Sequence, residues 1–209
     1  MTYSIIARCP RTGSIGQAIA TFAIATGGRL DGFNSSVGIC KTMAIPVRDN
    51  DVLAIRLMAL GHKPETVLKM LESNDPGYAN RQIAMMDLSG RVAVHTGEAR
   101  PWCGHRQGDG VVAAGNMLAG PQVVDALISS FMETAKAPLA DRLIFALQSA
   151  QAAGGQRGPD GRIVNARSAA LRVMRPGAHL VDVDLRIDYH EQSVAELLVL
   201  FQKMHKTNS

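Results

Sequence analysis

The chain has 209 residues, of which 46% are hydrophobic, and its 22 basic and 18 acidic residues leave a formal net charge of only +4. The basic residues are spread along the sequence without a long run, which excludes the clustered cationic face that nucleic-acid binding requires. No stretch of about 18 uninterrupted apolar residues is present, so a membrane span is not expected either.

A chain of this length is expected to form one domain, residues 1–209. The three cysteines, Cys9, Cys40 and Cys103, are odd in number and widely spaced. Nothing at the N-terminus has the basic start and apolar core of a secretion signal. We therefore expect reduced thiols and a cytoplasmic protein.

The first third of the chain predicts strands followed by helices. Residues 2–7 and 14–25 flank a Pro-Arg-Thr-Gly turn at 10–13, which indicates a hairpin, and residues 35–44 predict a third strand. Helices are expected over 51–60, capped by Asn50, and over 64–71, which begins with a proline.

The rest of the chain alternates strands and helices in the same way. A hairpin is expected over 81–95, a strand over 111–114, helices over 123–135 and 139–153, a polar loop over 156–165, strands over 168–175 and 180–187, and an amphipathic helix over 194–205. This order suggests antiparallel sheets covered by helices.

Thr2 is a candidate nucleophile, because removal of Met1 would place its hydroxyl beside a free α-amine. The ordinary pKa of such an amine is about 7.7–8.0. The amine could take the hydroxyl proton and so activate a weak nucleophile without a His–Asp pair. A purely structural Thr2 is the alternative.

The densest cluster of polar and special residues lies between positions 95 and 120. Cys103 could be a nucleophile activated by His95 or His105. The same three residues could instead bind zinc, although a structural zinc site takes four ligands. In the third interpretation these residues are structural, and no metal is expected.

Asn116 follows Gly115 at the end of a predicted strand, shortly before a helix. Its amide, or a backbone N–H beside it, could donate to a developing oxyanion. The alternative is an Asn that satisfies local backbone groups in a turn.

The order of these segments resembles the domain-of-unknown-function family ten twenty-eight, which is grouped with the N-terminal-nucleophile (Ntn) hydrolases. The matching segments are residues 2–8, 12–18, 90–97, 102, 104–105, 115–120, 152–155, 167–171 and 183–190. The resemblance covers nearly the whole chain. It implies an α+β fold, a four-layer αββα sandwich of two antiparallel sheets, with an active site near the start of the first strand.

The chain departs from the family pattern after the third predicted strand, where it reads Thr-Met-Ala-Ile-Pro-Val-Arg-Asp over residues 42–49. The family has a Thr-Gln pair and an Asn-Pro-x-Tyr-Gly-like segment there. A changed substrate or a loss of activity would follow if this region lines the pocket. Lys41, just before it, could lower the pKa of a nearby nucleophile.

Together these features predict a hydrolase of small amides or other C–N bonds, with Thr2 as nucleophile and Asn116, His95 or His105 as oxyanion or substrate contacts. Lys41, Trp102 and Gly115 are the candidate substrate-binding residues. No cofactor is expected, and the expected partners are a small-molecule substrate and a second copy of the chain. A catalytically inactive ligand-binding or assembly protein is the rival.

Overall fold

The computed structural model describes residues 1–98 and 102–207. In this part of the chain it forms a mixed α+β fold with two main antiparallel sheets and five α-helices. The strands are β1 (Thr2–Arg8), β2 (Ile15–Thr21), β3 (Phe33–Asn34), β4 (Gly38–Ala44), β5 (Arg81–Asp87), β6 (Val92–Thr96), β7 (Cys103–Gly108), β8 (Val111–Asn116), β9 (Gln156–Arg157), β10 (Ile163–Val164), β11 (Ser168–Met174) and β12 (Val183–Ile187). The helices are α1 (Arg48–Ala59), α2 (Pro64–Asn74), α3 (Pro121–Glu133), α4 (Leu139–Ala152) and α5 (Ser193–Thr207).

The larger sheet has six strands in the order β12-β11-β2-β1-β8-β7, so β1 lies in its interior between β2 and β8. Its register places Thr2 opposite Thr21 on one side and Asn116 on the other. All seven residues of β2 and all six of β8 are buried, and both strands are rich in small residues that permit close packing. The start of β1 is therefore held from both sides.

The smaller sheet has four strands in the order β3-β4-β5-β6, and β9 and β10 form a separate two-stranded hairpin. In β4, Lys41 lies opposite Ala84 of β5. Because side chains alternate along a strand, Ile39, Lys41 and Met43 leave one face of this sheet while Cys40 leaves the other.

Three buried clusters join the elements. The first packs one face of the six-stranded sheet, including Tyr3 and Ile5, against α3, α4 and α5. The second lies between the two sheets and includes Ile6, Ile19 and Met86. The third packs the opposite face of the four-stranded sheet against α1 and α2.

Several expectations from the sequence need correction. Asn50 does not cap α1, which begins earlier with Val47 at its N-cap; its side-chain amide instead donates to Asp75 Oδ2 at 2.8 Å. The predicted second strand ends at Thr21 rather than residue 25, since a 3-10 helix, Thr26–Arg29, follows.

Three regions contain strands that the sequence pattern did not predict, and the first of them is β3. Strand β7 has the polar sequence Cys-Gly-His-Arg-Gln-Gly and no hydrophobic alternation, yet it pairs with β8. The segment expected to be a polar loop holds the hairpin of β9 and β10. No helix among residues 1–98 and 102–207 is long and apolar enough to cross a membrane.

Candidate functional site

A cavity of about 290 Å³ lies at the start of β1, where the two sheets face each other. Thr2 and Thr21 from the six-stranded sheet and Lys41 and Met43 from β4 contribute to its wall. The structure thus brings Thr2 and Lys41, two of the candidates from the sequence, into one cavity.

Thr21 contacts both the candidate nucleophile and the peptide bond that precedes it. Its hydroxyl donates to the carbonyl oxygen of Met1 at 2.7 Å and lies 3.0 Å from Thr2 Oγ1. Because the Thr21 proton is committed to Met1, the Thr2 hydroxyl is the donor in the second bond. The backbone N–H of Phe22 donates to the same Met1 oxygen at 3.3 Å. Two donors therefore converge on one carbonyl oxygen beside Thr2 Oγ1.

Thr21 was not among the candidates that the sequence suggested, although a signal for it was present. Counting outward equally from the turn at residues 10–13 places residue 21 opposite residue 2, which is the register observed. Arg29 is also missed, because nothing in the pattern between the predicted strands 14–25 and 35–44 indicates the 3-10 helix that brings it to the cavity wall.

Asn116 lies opposite Thr2 but its amide is already engaged. Asn116 Nδ2 donates to Gln82 Oε1 at 3.0 Å, and Gln82 Nε2 donates to the carbonyl of Gly115 at 2.9 Å. The Gln82 amide orientation is fixed by that carbonyl, so the Asn116 orientation follows from it. Asn116 Oδ1 is left buried without a hydrogen-bond partner in the described part of the chain.

The two candidate histidines lie apart from the cavity. His105 Nδ1 is 2.9 Å from Thr96 Oγ1, which accepts a hydrogen bond from Gln82 Nε2, so His105 reaches Asn116 only through this network. Burial lowers the pKa of His105 below its ordinary value, and Arg106 and His95 lower it further.

His95 is separated from Thr2 by the four-stranded sheet. Its ring stacks on Tyr78 with centroids 4.0 Å apart, and its Nε2 lies 3.1 Å from the Tyr78 carbonyl oxygen. By strand alternation it faces the helices rather than the space between the sheets.

Lys41 is held in place by a buried ion pair. Its Nζ donates to Asp51 Oδ2 at 2.7 Å and to the Arg29 carbonyl at 2.9 Å. Asp51 is fully buried and also accepts from the Thr42 backbone N–H. Burial raises the pKa of Asp51, and the Lys41 ammonium and the Thr42 amide offset part of that rise.

Trp102 and Gly115 do not line the cavity. Trp102 packs beside the cluster under α3, α4 and α5, and its carbonyl accepts a hydrogen bond from the Leu118 N–H at 3.0 Å. Gly115 allows close packing, because a Cβ there would lie 3.0 Å from the Thr2 carbonyl oxygen.

The alternative site at Cys103 has different partners. The Cys103 thiol donates to the Gly97 carbonyl at 3.1 Å. Within residues 1–98 and 102–207, no three His, Cys, Asp or Glu side chains are grouped so that they could hold a metal ion, and His95, Cys103 and His105 do not form such a group.

Backbone strain is concentrated around the cavity. Three non-glycine residues of the described chain have positive φ: Ala25 at 56°, Ala44 at 68° and Met117 at 54°. Ala44 lines the cavity, Ala25 precedes the cavity residue Thr26, and Met117 Sδ contacts the Met1 amine at 3.7 Å. Such conformations cost about 1–3 kcal/mol each and gather at functional sites, so their grouping marks this cavity.

The α-amine of the chain lies in the same place. Burial lowers the pKa of the Met1 amine below its ordinary value. An amine with a lowered pKa is neutral over more of the pH range and is then able to accept a proton.

Comparison with known proteins gives a family and a related structure. The profile of the Family of unknown function (DUF1028) matches residues 2–197. The crystal structure of protein SPO2555 from Silicibacter pomeroyi, from the same family, is 32% identical in sequence with a TM-score of 0.82, and the match covers 97% of this chain and 88% of that one. No curated protein matches.

Proposed function

Because the chain belongs to the Family of unknown function (DUF1028), we propose its activity from its own cavity: it hydrolyses a small amide or another C–N bond, with Thr2 as an N-terminal nucleophile. The observation that carries this proposal is the convergence of the Thr21 hydroxyl and the Phe22 N–H on the carbonyl oxygen beside Thr2 Oγ1. The proposed reaction requires the removal of Met1.

Loss of Met1 changes the site in two ways. The Thr2 nitrogen becomes a free amine beside its own hydroxyl, and the Thr21 hydroxyl and Phe22 N–H lose their acceptor. A substrate carbonyl that takes the place of the Met1 carbonyl would meet the same two donors, which is the arrangement that stabilises an oxyanion.

In the proposed reaction the Thr2 amine takes up a proton and gives it back at each stage. The Thr2 amine takes the hydroxyl proton, and Oγ1 attacks the carbonyl carbon to give a tetrahedral intermediate. The C–N bond then breaks, and the proton passes from the ammonium to the departing nitrogen. Water, deprotonated by the same amine, hydrolyses the resulting ester and frees Thr2. Lys41 lies in the same cavity wall, and its effect on the pKa of the nucleophile stays a prediction, because Asp51 balances its charge from 2.7 Å.

The oxyanion role predicted for Asn116 stays a prediction, as do the roles of His95 and His105. One Asn116 N–H is committed to Gln82. We place Thr21 and Phe22 in that role and treat Asn116 as a residue that supports the start of β1 from the side of β8.

We also infer that the layers correspond to the four-layer αββα sandwich of Ntn hydrolases, formed by one domain over residues 1–209. The three buried clusters, each between different layers, support this inference. A cytoplasmic location is proposed on the sequence alone.

The rival function, a ligand-binding protein without catalysis, has one observation in its favour. Met43, Ala44 and Pro46 line the cavity, and they belong to the segment where this chain departs from the family pattern. A changed wall would fit either a different substrate or a lost reaction.

The first experiment is the intact mass of the untagged protein, followed by ammonia release from short aliphatic amides by wild type, Thr2→Ala and Thr2→Ser. We expect a mass that lacks Met1, turnover by wild type and Thr2→Ser, and a loss of about a thousandfold or more in kcat for Thr2→Ala. Full turnover by Thr2→Ala, or retention of Met1 in a protein that turns over, would exclude the mechanism.

A further inference from the structure

The charged side chains of the cavity wall are all positive. Among the lining residues that the structure describes, Arg29 and Lys41 are basic and none is acidic. Thr2, Thr21 and Thr26 add hydroxyl groups, and the rest of the wall is apolar apart from backbone atoms. A wall of this composition favours a ligand with a negative charge and a short apolar body.

The two basic residues differ in how much charge they leave for a ligand. Lys41 is neutralised from behind by Asp51 at 2.7 Å, and its side chain is 6% exposed. The exposed Arg29 guanidinium forms no ion pair or hydrogen bond with any residue in the described ranges. Arg29 is therefore the basic side chain of the wall whose charge no acidic side chain in the described ranges neutralises.

The backbone of Arg29 is nevertheless fixed at the wall. Its carbonyl accepts the hydrogen bond from Lys41 Nζ at 2.9 Å, and Arg29 ends the 3-10 helix that begins at the buried Thr26. The ion pair of Lys41 thus anchors the residue whose side chain is free. A planar guanidinium on a residue whose backbone is held at the wall suits a carboxylate, which it can bind through two parallel N–H···O bonds.

We propose that the cavity binds a small aliphatic carboxylate, with the guanidinium of Arg29 on the carboxylate and the short chain against Met43, Ala44 and Pro46. This inference rests on the proposed function for the substrate it names: an ω-amide of a short dicarboxylic acid, whose amide end lies at Thr2 and whose carboxylate end lies at Arg29. The volume of about 290 Å³ fits a ligand of this size.

The test separates binding from turnover. Glutarate has no amide bond and is titrated calorimetrically into wild type, Thr2→Ala, Arg29→Gln and Arg56→Gln. Its uncharged diamide, glutaramide, is titrated only into forms of these proteins that also carry Thr2→Ala, which should not hydrolyse it. Arg56 is a matched control, because it is an exposed arginine on α1 that does not line the cavity. Thermal unfolding of each variant checks that it is folded.

We expect glutarate to bind wild type and Arg56→Gln about tenfold or more tightly than it binds Arg29→Gln, as for a charge-assisted hydrogen-bonded pair. Binding of glutarate should weaken with added salt, and binding of glutaramide should not. Equal affinity of wild type and Arg29→Gln for glutarate, or a preference for glutaramide that Arg29→Gln leaves unchanged, would overturn the proposal.

The result of the glutarate binding experiment does not depend on whether the protein is a catalyst. Thr2→Ala should keep its affinity for glutarate while losing turnover of glutaramate, the monoamide. If no variant hydrolyses glutaramate but Arg29 still controls glutarate binding, the proposed function fails and the carboxylate site stands. If glutaramate is hydrolysed with the same KM by Arg29→Gln and wild type, the carboxylate site fails and the hydrolase stands.

Discussion

At the scale of single residues, the chemistry of the site depends on which hydroxyl donates to which oxygen. The Thr21 proton goes to the Met1 carbonyl, and this forces the Thr2 hydroxyl to donate to Thr21. The side chain that accepts from the hydroxyl of Thr2, the proposed nucleophile, is thus also the side chain that donates to the neighbouring carbonyl. Thr21 is therefore central to the proposed reaction.

Thr21→Val keeps the shape of the side chain and removes its donor. On the amide that wild type hydrolyses, we expect kcat to fall by about a hundredfold, which is typical for the loss of one oxyanion donor, while KM changes little. Thr21→Ser should recover most of kcat because it restores the hydroxyl. Intact mass must show the same N-terminus in all three proteins, and a kcat of Thr21→Val within twofold of wild type would assign the oxyanion role elsewhere.

The sequence predicted part of this site. Thr2 and Lys41 were both identified from their chemistry and do share a cavity. His95 is a candidate because it belongs to the polar cluster between residues 95 and 120, but strand alternation sends its side chain to the far face of the four-stranded sheet, a fact that depends on register. Arg29 could not be found, because its position depends on a hydrogen bond from Lys41 to its backbone.

At the scale of elements, the loop that closes the cavity wall is held by one carboxylate. Asp75, at the end of α2, accepts hydrogen bonds from Asn50 of α1 and Arg81 of β5, and Arg81 in turn donates to the Ile45 carbonyl at 2.8 Å. The hydrogen bonds that Arg81 and Asn50 donate to Asp75 lower the pKa of its carboxyl group to about 2. Two helices and a strand are therefore tied to the segment that carries Pro46.

Asp75→Asn removes the charge and keeps the shape. We expect it to lower the free energy of unfolding at pH 7 by about 3 kcal/mol, since it leaves the mostly buried Arg81 guanidinium without its counter-ion. Because the folded pKa of about 2 lies below the ordinary value of 3.8, this contribution is complete above 3.8 and is lost as the pH falls towards 2. Urea unfolding at pH 7 and pH 3 measures both effects.

The control for this experiment is Asp160→Asn. Asp160 pairs with Arg162 at 3.7 Å with both side chains exposed, so its loss should cost less than about 1 kcal/mol at pH 7. Equal losses for the two variants would show that the Asp75 cluster does not stabilise the fold.

Element prediction from the sequence was best where hydrophobic patterns were strong. β1, β5, α4 and α5 lie close to their expected positions, since each combines an apolar pattern with a clear start or stop signal. β7 was missed because its polar side chains carry no alternation, and only pairing with the buried β8 makes it a strand. α1 begins earlier than expected, with Val47 at its N-cap, so that Asn50 lies inside the helix and its side-chain amide donates to Asp75.

At the scale of the whole molecule, the two main sheets share one buried cluster. Ile6 and Ile19 from the six-stranded sheet contact the layer that Met43 and Met86 contribute from the other. If either sheet exposed that face to water, the apolar side chains of the other sheet would be exposed as well. We therefore expect the sheets to unfold together. The homodimer expected from the sequence stays a prediction at this scale.

Ile19→Ala tests this coupling. Ile19 is 1% exposed between the sheets, so its truncation should lower the free energy of unfolding by about 3 kcal/mol. The urea midpoints from far-UV circular dichroism and from fluorescence of the single tryptophan, Trp102, should move by the same amount. Leu180→Ala, at a side chain that is 82% exposed, should leave both midpoints in place. A shift seen by only one probe would contradict unfolding in one step.

The Asp51 carboxylate that pairs with Lys41 also affects whether the edge of β4 can pair with a strand of another molecule. β3 covers only the beginning of β4, so the outward N–H groups of Cys40 and Thr42 would otherwise be free to pair with a strand of another chain. The Gly32 carbonyl takes the first at 2.7 Å, and the Asp51 carboxylate takes the second. An occupied and charged strand border cannot template intermolecular pairing. The carboxylate that neutralises Lys41 is therefore also a safeguard against aggregation at the border of the cavity.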